Sequence, residues 1–232
     1  MRNAAVDVAP AAYDPYKDSV TLHIQDGSIT DLVGHTITNS GVTSNTSIKK
    51  YGSSSMYFNG SSYMTVSASN DTTITASDFT VEGWIYLTSN PANLACILGT
   101  STWVVYFTSG ALAYTTQSVA TVSSSTVLAL NTWYHVAVVR QSTTVTIFLN
   151  GSVIATGTVG STTPTATDLI IGNQPGQSRY LTGAYLQDLR ITKGVARYTQ
   201  PFAAPTGFQL TNDYAWVSGD KYDPFWAQTT LS

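Results

Sequence analysis

The sequence predicts an all-β protein, folded as a two-sheet antiparallel β-sandwich of the jelly-roll type. Many short segments alternate between apolar and polar residues, and Gly, Asn and Ser separate them at intervals of roughly 8–12 residues. No stretch keeps the 3.6-residue apolar period of a helix over three turns. Because a strand buries one face at a time, we expect these strands to form two layers around one core.

The most clearly predicted strand spans residues 79–86, where the side-chain period is two. One face carries Phe79, Val81, Gly83 and Ile85, and the other carries Thr80, Glu82, Trp84 and Tyr86. Since large apolar groups occur on both faces, we expect a central strand of a layered sheet. We also expect Trp84, and Trp133 in a later strand, to fill space between the two sheets.

Two hairpins are predicted further along the chain. Residues 145–149 and 152–154 are joined by Asn150 and Gly151, and an Asn-Gly pair favours the two positive φ angles of a type I′ turn. Residues 103–114 form the other predicted hairpin.

Charged side chains are sparse. They make up 10% of the residues, against about 25% in a typical soluble domain, and the net charge is −3. The predicted surface is therefore rich in Ser, Thr, Asn and Gln, which suits contact with other proteins or with neutral glycans. Nucleic acid is not expected as a partner, because phosphate binding needs a basic footprint. The single cysteine, Cys96, has apolar neighbours, so we expect a buried, unreactive thiol.

Membrane insertion is not expected. No apolar run approaches the roughly 20 residues that cross a bilayer. The N-terminal residues also lack the apolar core of a signal peptide, so we expect the protein to fold in a cytoplasm.

The chain is predicted to form one domain with an arm at each end. Residues 1–12 are small and polar and read as an N-terminal arm, residues 13–210 form the sandwich, and residues 211–232 form a C-terminal tail.

The tail contains an approximate internal repeat. The run YDPYKDSVTL at residues 13–22 returns as YDPFWAQTTL at residues 222–231. One interpretation is a truncated repeat left by recombination. The other is a strand that is donated to a neighbouring subunit, with Tyr222, Asp223, Pro224, Phe225 and Trp226 as the assembly residues.

Three blocks of sequence, in order, resemble the laminin G-like, concanavalin A-like jelly-roll family in the form found in bacteriophage virion proteins. They are KKYGSSSMYFNGSSYMTVS at residues 49–67, then DFTVEGWIYL with NTWYHVAVVRQSTTVTIFLNGSVIATG at residues 78–87 and 131–157, then LQDLRITKGVARYTQPFAAP at residues 186–205. The third block resembles phage tail and fibre proteins. The resemblance makes residues 13–210 a laminin G-like domain.

The resemblance implies a non-enzymatic bacteriophage virion structural protein, namely a decoration, fibre or tail-associated subunit that acts in assembly and in host attachment. The expected partners are other virion proteins, further copies of the chain and glycans of the host surface. The expected location is the virion, after synthesis in the host cytoplasm. The alternative is a glycan-binding module of the lectin type, and a third hypothesis is a secreted glycan hydrolase, since the scaffold carries all three.

Catalysis is not predicted. Glycoside hydrolysis needs two facing carboxyl groups, and in hydrolytic relatives these lie at alternate positions of one strand. Here Glu82 stands between Thr80 and Trp84, with no acidic neighbour on its face. No serine has a Gly-x-Ser-x-Gly context, and His135 is expected to be structural.

No metal and no cofactor are predicted. Lectin-like relatives often hold calcium in their loops, but the pairs Asp26 with Asp31 and Asp71 with Asp78 do not match a dense calcium-loop spacing. Turn formation explains these residues.

Neutral sugars are bound by aromatic rings beside amide and hydroxyl groups, and the chain has 14 Tyr and 5 Trp. The predicted contacts for glycan or partner are Trp103, Tyr106, Tyr114, Arg179 and Tyr180. Each of these side chains fits the sandwich core or a subunit interface equally well.

Overall fold

A computed structural model describes residues 14–116, 120–160 and 165–209. Within these residues the chain forms fifteen strands and two short 3-10 helices, Lys17–Ser19 and Asn70–Thr72. The strands are β1 Val20–Ile24, β2 Ile37–Ser40, β3 Thr43–Asn45, β4 Ser55–Asn59, β5 Tyr63–Val66, β6 Phe79–Leu87, β7 Cys96–Gly99, β8 Trp103–Thr108, β9 Ala111–Thr116, β10 Ala120–Val127, β11 Trp133–Gln141, β12 Thr144–Leu149, β13 Ser152–Thr158, β14 Leu169–Ile171 and β15 Thr182–Lys193.

The strands form two antiparallel sheets, which confirms the predicted sandwich. Sheet A has the order β13-β12-β11-β6-β15-β4-β3, and β1 lies beside the second half of β15. Sheet B has the order β10-β9-β8-β7-β14-β5-β2. Strand β6 is central in sheet A, between β11 and β15, as its two apolar faces predicted.

The core lies between the sheets. Alternate side chains of β6, including Phe79 and Ile85, meet alternate side chains of β8, including Trp103 and Phe107, in one buried apolar cluster. Burial of this apolar surface on both inner faces is the main force that holds the sandwich together.

The hairpin between β12 and β13 has the predicted turn. Asn150 and Gly151 have φ angles of 49° and 80°, the pair of positive values that a type I′ turn requires. Strands β8 and β9 are paired along their whole length, from Trp103 opposite Thr116 to Thr108 opposite Ala111. The second predicted hairpin is therefore also confirmed.

The strap, defined as residues 195–209, crosses the outer face of sheet A, the face turned away from sheet B. Its backbone amides donate to the sheet at three points: Arg197 N to Thr80 Oγ1 (2.9 Å), Phe202 N to the Gly151 carbonyl (3.0 Å) and Gln209 N to Asp188 Oδ2 (2.9 Å). Tyr198 and Phe202 stack at 3.6 Å and pack against Phe148. A second, smaller apolar cluster therefore forms on this face.

Trp84 and Trp133 lie on the outer face of sheet A, so the expectation that they fill space between the sheets is wrong. Phe79, Val81 and Ile85 occupy the inner face of β6, and Trp84 alternates away from them. Both faces of β6 carry large apolar side chains, because Trp84 is buried on the outer face as well, under Lys50 and Tyr51. Periodicity alone cannot tell the two faces apart.

The predicted N-terminal arm, residues 1–12, and the C-terminal tail, residues 211–232, lie outside the described residues. Within the described part of the chain, no helix has both the length and the apolar character needed to span a membrane.

Candidate functional site

Four aromatic side chains form a row across the outer face of sheet A, one from each of four adjacent strands. Tyr57 of β4 pairs with Tyr185 of β15, Tyr185 pairs with Tyr86 of β6, and Tyr86 pairs with Trp133 of β11. Directly paired residues of neighbouring strands project from the same face, so their side chains touch. The aromatic row, defined as these four residues, runs perpendicular to the strands.

The rings of the aromatic row are in contact but not coplanar. Ring centroids are 4.8 Å apart for Tyr57 and Tyr185, 5.8 Å for Tyr86 and Tyr185, and 5.5 Å for Tyr86 and Trp133. The interplanar angles are 34°, 83° and 48° in the same order. The row therefore offers a corrugated apolar surface and not one flat plane.

The row is half open to solvent. Tyr57, Tyr86 and Trp133 are half-buried, whereas Tyr185, in the middle, is 8% exposed. Burial, together with the neighbouring hydroxyls of Tyr57 and Tyr86, raises the pKa of Tyr185, so its hydroxyl stays protonated. The row thus combines apolar ring surface with neutral hydroxyl groups.

The surroundings of the row are polar and uncharged. The Tyr86 hydroxyl donates to Asn131 Oδ1 at 3.4 Å, and Thr88 Oγ1 donates to the Gly183 carbonyl at 2.9 Å. The sequence holds no Asp, Glu, Lys or Arg in the whole run between Glu82 and Arg140. A ligand at the row would therefore meet hydroxyl and amide groups rather than charges.

Next to the row, on the strap side, lies Trp84. Its ring is covered by the Lys50 ammonium at 4.2 Å and by the edge of Tyr51 at 5.7 Å. Trp84 is 4% exposed, and its Nε1 has no hydrogen-bond partner among the described residues. Lys50 therefore marks the boundary between the open row and the covered part of the face.

Under the strap, Glu82 is buried in a network of charged and polar groups. Its Oε1 accepts from Arg190 Nη2 at 2.7 Å, its Oε2 accepts from the Tyr198 hydroxyl at 2.7 Å, and His135 Nε2 lies 3.5 Å from Oε2. Burial by itself raises the pKa of Glu82, but the charge of Arg190 and the contact with His135 outweigh burial and lower the pKa to about 2.

A second carboxylate reaches the same network from far away in the sequence. Asp14 accepts from both guanidinium nitrogens Nη1 and Nη2 of Arg197, at 2.8 and 2.9 Å, and from Arg190 Nη1 at 3.1 Å. Arg190 thus bridges Asp14 and Glu82. Burial raises the pKa of Asp14, but the hydrogen bond from Arg197 outweighs it, and the net pKa is lowered.

His35 bridges two carboxylates in the loops at one end of the sandwich. Its Nδ1 lies 2.6 Å from Asp31 Oδ2 and its Nε2 lies 3.0 Å from Asp71 Oδ2. Burial lowers the pKa of His35, and the hydrogen bonds to Asp31 and Asp71 outweigh burial, so that the pKa is raised. In the described part of the chain, no group of three or more His, Cys, Asp and Glu side chains could hold a metal ion.

Two of the predicted contact residues are in the core, which corrects their interpretation as surface aromatic residues. Trp103 and Tyr114 are both 0% exposed, and Trp103 Nε1 donates to the Thr72 carbonyl at 3.0 Å. Both strands alternate, but the sequence did not show which face was inner. The Cys96 thiol is buried as predicted, and burial raises its pKa.

The other three predicted contacts are associated with strands of sheet B. Tyr106 pairs with Cys96, and the Cys96 amide donates to the Arg179 carbonyl at 2.8 Å. Tyr180 lies beside Tyr63, with ring centroids 6.2 Å apart. Tyr106, Arg179 and Tyr180 are half-buried, so a contact role for them stays a prediction.

The aromatic row is not predictable from the sequence alone. Alternation along β6 placed Tyr86 on the face opposite Phe79, Val81 and Ile85, but it did not show which of the two faces was open. The meeting of Tyr57, Tyr185 and Trp133 depends on the register of four strands that are distant in sequence.

Solved structures with the same fold support the assignment of the sandwich. The binding domain of Paraclostridial Mosquitocidal Protein 1 matches with a TM-score of 0.62 at 14% identity, over 77% of this chain and 49% of that one. The binding domain of botulinum neurotoxin DC in complex with SialylT matches with a TM-score of 0.58 at 16% identity, over 76% of this chain and 48% of that one. The chain therefore spans about half of these toxin domains.

A third solved structure is matched over nearly its whole length. Domain 4 of AbnA, an extracellular arabinanase of Geobacillus stearothermophilus, in complex with arabinotriose, has a TM-score of 0.61 at 16% identity, over 78% of this chain and 95% of that one. At these identities the matches show the fold alone. No protein with a curated description matches the sequence.

A laminin G-like family model matches residues 58–197, which include the whole of β6, β11 and β15. This match covers more than half of the chain and contains three of the four strands that carry the aromatic row. Together with the two-sheet architecture, it shows that the chain belongs to the concanavalin A-like lectin/glucanases superfamily.

Proposed function

We propose that this domain is a non-enzymatic glycan-binding module and that the aromatic row is its contact surface. The observation that carries the proposal is the direct pairing of Tyr57, Tyr185, Tyr86 and Trp133 across four strands of the outer face of sheet A. A sugar ring has an apolar C–H face and a polar rim. Aromatic rings beside hydroxyl and amide groups complement both.

The absence of charge around the row favours a neutral glycan. A sialylated or uronic sugar would bring a carboxylate to a surface whose nearest cation is Lys50, and its ammonium already lies over the Trp84 ring. Tyr86 and Asn131 offer neutral hydrogen-bonding groups instead. A neutral oligosaccharide would leave no charge unpaired.

The extent of the row favours a chain of several sugar units. Neighbouring strands are about 4.8 Å apart, so four strands extend the row over roughly 14 Å. The rings are tilted against one another, so the row fits a single oligosaccharide chain better than the flat surface of a crystalline polysaccharide. Two proteins of the same fold were solved with sugars, the neurotoxin DC domain with SialylT and AbnA domain 4 with arabinotriose, which supports a sugar ligand.

The absence of catalysis is part of the proposal. Glu82 is held ionised by Arg190 and covered by Tyr198 of the strap, so it can neither donate a proton at neutral pH nor reach a substrate while the strap is in place. Asp14, its acidic neighbour, is tied to the same arginine.

The second candidate function places this glycan-binding module in a bacteriophage particle. The observation that favours it is the resemblance of residues 186–205 to phage tail and fibre proteins. In that setting the domain would attach the particle to sugars of the host surface, and other virion proteins would be its partners. Immunogold labelling of purified particles tests this placement: label on the particle supports it, and label only in the unassembled fraction contradicts it.

A glycan array tests the main proposal. The full chain should bind neutral oligosaccharides, and Trp133→Ala and Tyr86→Ala should each weaken binding by about two- to twelvefold, because an aromatic contact is worth roughly 0.5–1.5 kcal/mol. Tyr180→Ala, beside Tyr63 of sheet B, is the matched control and should bind like the wild type. Thermal unfolding of each variant checks that it is folded.

The opposite pattern of binding would assign the contact surface to a different face. If Tyr180→Ala loses binding and the two row variants keep it, the surface around Tyr180 is the contact surface and the aromatic row is not. If the wild type is retained on no glycan, the lectin proposal fails as a whole.

A further inference from the structure

The N-terminal segment, defined as residues 14–22, lies beside β15, and the groove is defined as the site on β15 and the strap that this segment occupies. Asp14 is 7% exposed and forms ion pairs with Arg190 and Arg197 at the mouth of this groove. The segment then makes a turn, in which the Tyr16 amide donates to Asp14 Oδ1 at 3.0 Å. Its end enters β1, which pairs with β15 and completes sheet A.

Three side chains of the segment contact its surroundings in ways that can be compared with the tail. The Asp14 carboxylate neutralises the two arginines, the Tyr16 ring lies 5.3 Å from the Arg197 guanidinium, and Leu22 is fully buried in the core. An occupant of this groove therefore needs an acid, an aromatic residue two positions later and a large apolar residue eight positions after the acid.

The C-terminal repeat has these residues at these spacings. Asp223 stands at the position of Asp14, Phe225 at that of Tyr16 and Leu231 at that of Leu22, and a Pro follows the acid in both segments. Residues 222–231 lie outside the described residues, so the match is one of sequence. The three matching residue types are the ones that contact the groove in the N-terminal segment.

We propose that residues 222–231 of one copy of the chain can take the place of the N-terminal segment in the groove of a second copy when that segment is displaced, with Asp223 between Arg190 and Arg197. The tail of one copy would thereby link two subunits, and its contacts in the second copy would replace those of that copy's own N-terminal segment. The proposal is independent of glycan binding.

The two segments are not equal in affinity for the groove. The buried Val20 corresponds to Thr229, which brings a hydroxyl into an apolar site. The resident segment is therefore the stronger occupant, and it is also favoured by its position in the same chain. The tail competes when the resident segment is weakened.

Variants of the full chain test the exchange. Asp14→Ala weakens the resident segment, so sedimentation velocity should show dimers whose fraction increases with protein concentration. Adding Asp223→Ala should return the protein to the monomer and lower the Tm by at least roughly 2–4 °C relative to Asp14→Ala. Asp223→Ala alone should leave the Tm of the wild type unchanged.

A matched control comes from the same tail. Asp220→Ala, two residues before the repeat, removes an equal charge and should leave the dimers of Asp14→Ala intact. If Asp14→Ala does not fold, Val20→Thr replaces it, since that change gives the resident segment the residue of the tail. Monomers at all concentrations in every folded variant would overturn the proposal, as would dimers that persist with Asp223→Ala.

Discussion

Glu82 and Arg190 form a buried, two-pronged ion pair on the outer face of sheet A, with Glu82 Oε1 2.7 Å from Arg190 Nη2 and 3.1 Å from Arg190 Nε. The two residues lie opposite each other on β6 and β15. Tyr198 of the strap closes the pair from solvent by donating to the second oxygen of Glu82. The pair therefore links the two central strands to the segment that covers them.

Arg190→Leu is expected to destabilise the fold strongly. Loss of the guanidinium leaves Glu82 and Asp14 without their shared partner, and removal of one member of a buried pair costs roughly 3–5 kcal/mol. The double variant Glu82→Leu with Arg190→Leu should lose less unfolding free energy than Arg190→Leu alone, because no unpaired charge is left buried at position 82. Urea unfolding measures the free energy of unfolding of both variants. Equal losses in the two would show that Glu82 and Arg190 are not energetically coupled.

Acid should weaken the fold through Glu82. The pKa of Glu82 is about 2 in the folded chain, below the ordinary value of 4.5, so its contribution to stability is present above pH 4.5 and is lost as the pH falls towards 2. The lowered pKa of Asp14 acts in the same direction. Urea unfolding from pH 7 to pH 2 should show this decline, and Glu82→Gln should flatten it. An unchanged slope in that variant would contradict the assignment.

His35 should give the opposite dependence at higher pH. Its pKa is raised above 6.5 by the hydrogen bonds to Asp31 and Asp71, against the effect of burial. The stabilisation is therefore fully present below pH 6.5 and is lost as the pH rises through the folded pKa. His35→Asn should remove the slope of the unfolding free energy above pH 6.5, whereas Tyr180→Ala, far from this bridge in sequence, should keep it.

Gly151→Ala should displace the strap. Gly151 has a φ of 80°, which an L-residue adopts at a cost of roughly 1–2 kcal/mol, and an added Cβ would lie 1.8 Å from the Phe202 carbonyl oxygen. The loss of stability should exceed the backbone cost, because the Phe202 amide also bonds to the Gly151 carbonyl. Gly160→Ala, with no neighbour within 4 Å, is the control and should change the Tm little. Equal Tm values for the two variants would contradict this contact.

The sequence by itself determined the local elements. Alternation defined β6, and Asn150 with Gly151 defined the turn between β12 and β13, because φ preference and side-chain period are properties of neighbouring residues. The scarcity of charge likewise predicted a neutral polar surface before any contact was known. The lone Glu82 was also visible as a carboxylate without an acidic neighbour on its strand face.

Only the tertiary structure decided which residues meet. The register of β4, β15, β6 and β11 placed Tyr57 and Trp133 at the two ends of one row, and the fold of the N-terminal segment brought Asp14 to the arginine that holds Glu82. Trp84 is buried on the outer face of β6, under Lys50 and Tyr51, so a large apolar side chain did not mark the side of the strand that faces the core. Cross-strand register and the covering of a sheet face depend on residues far apart in the chain, so no local pattern records them.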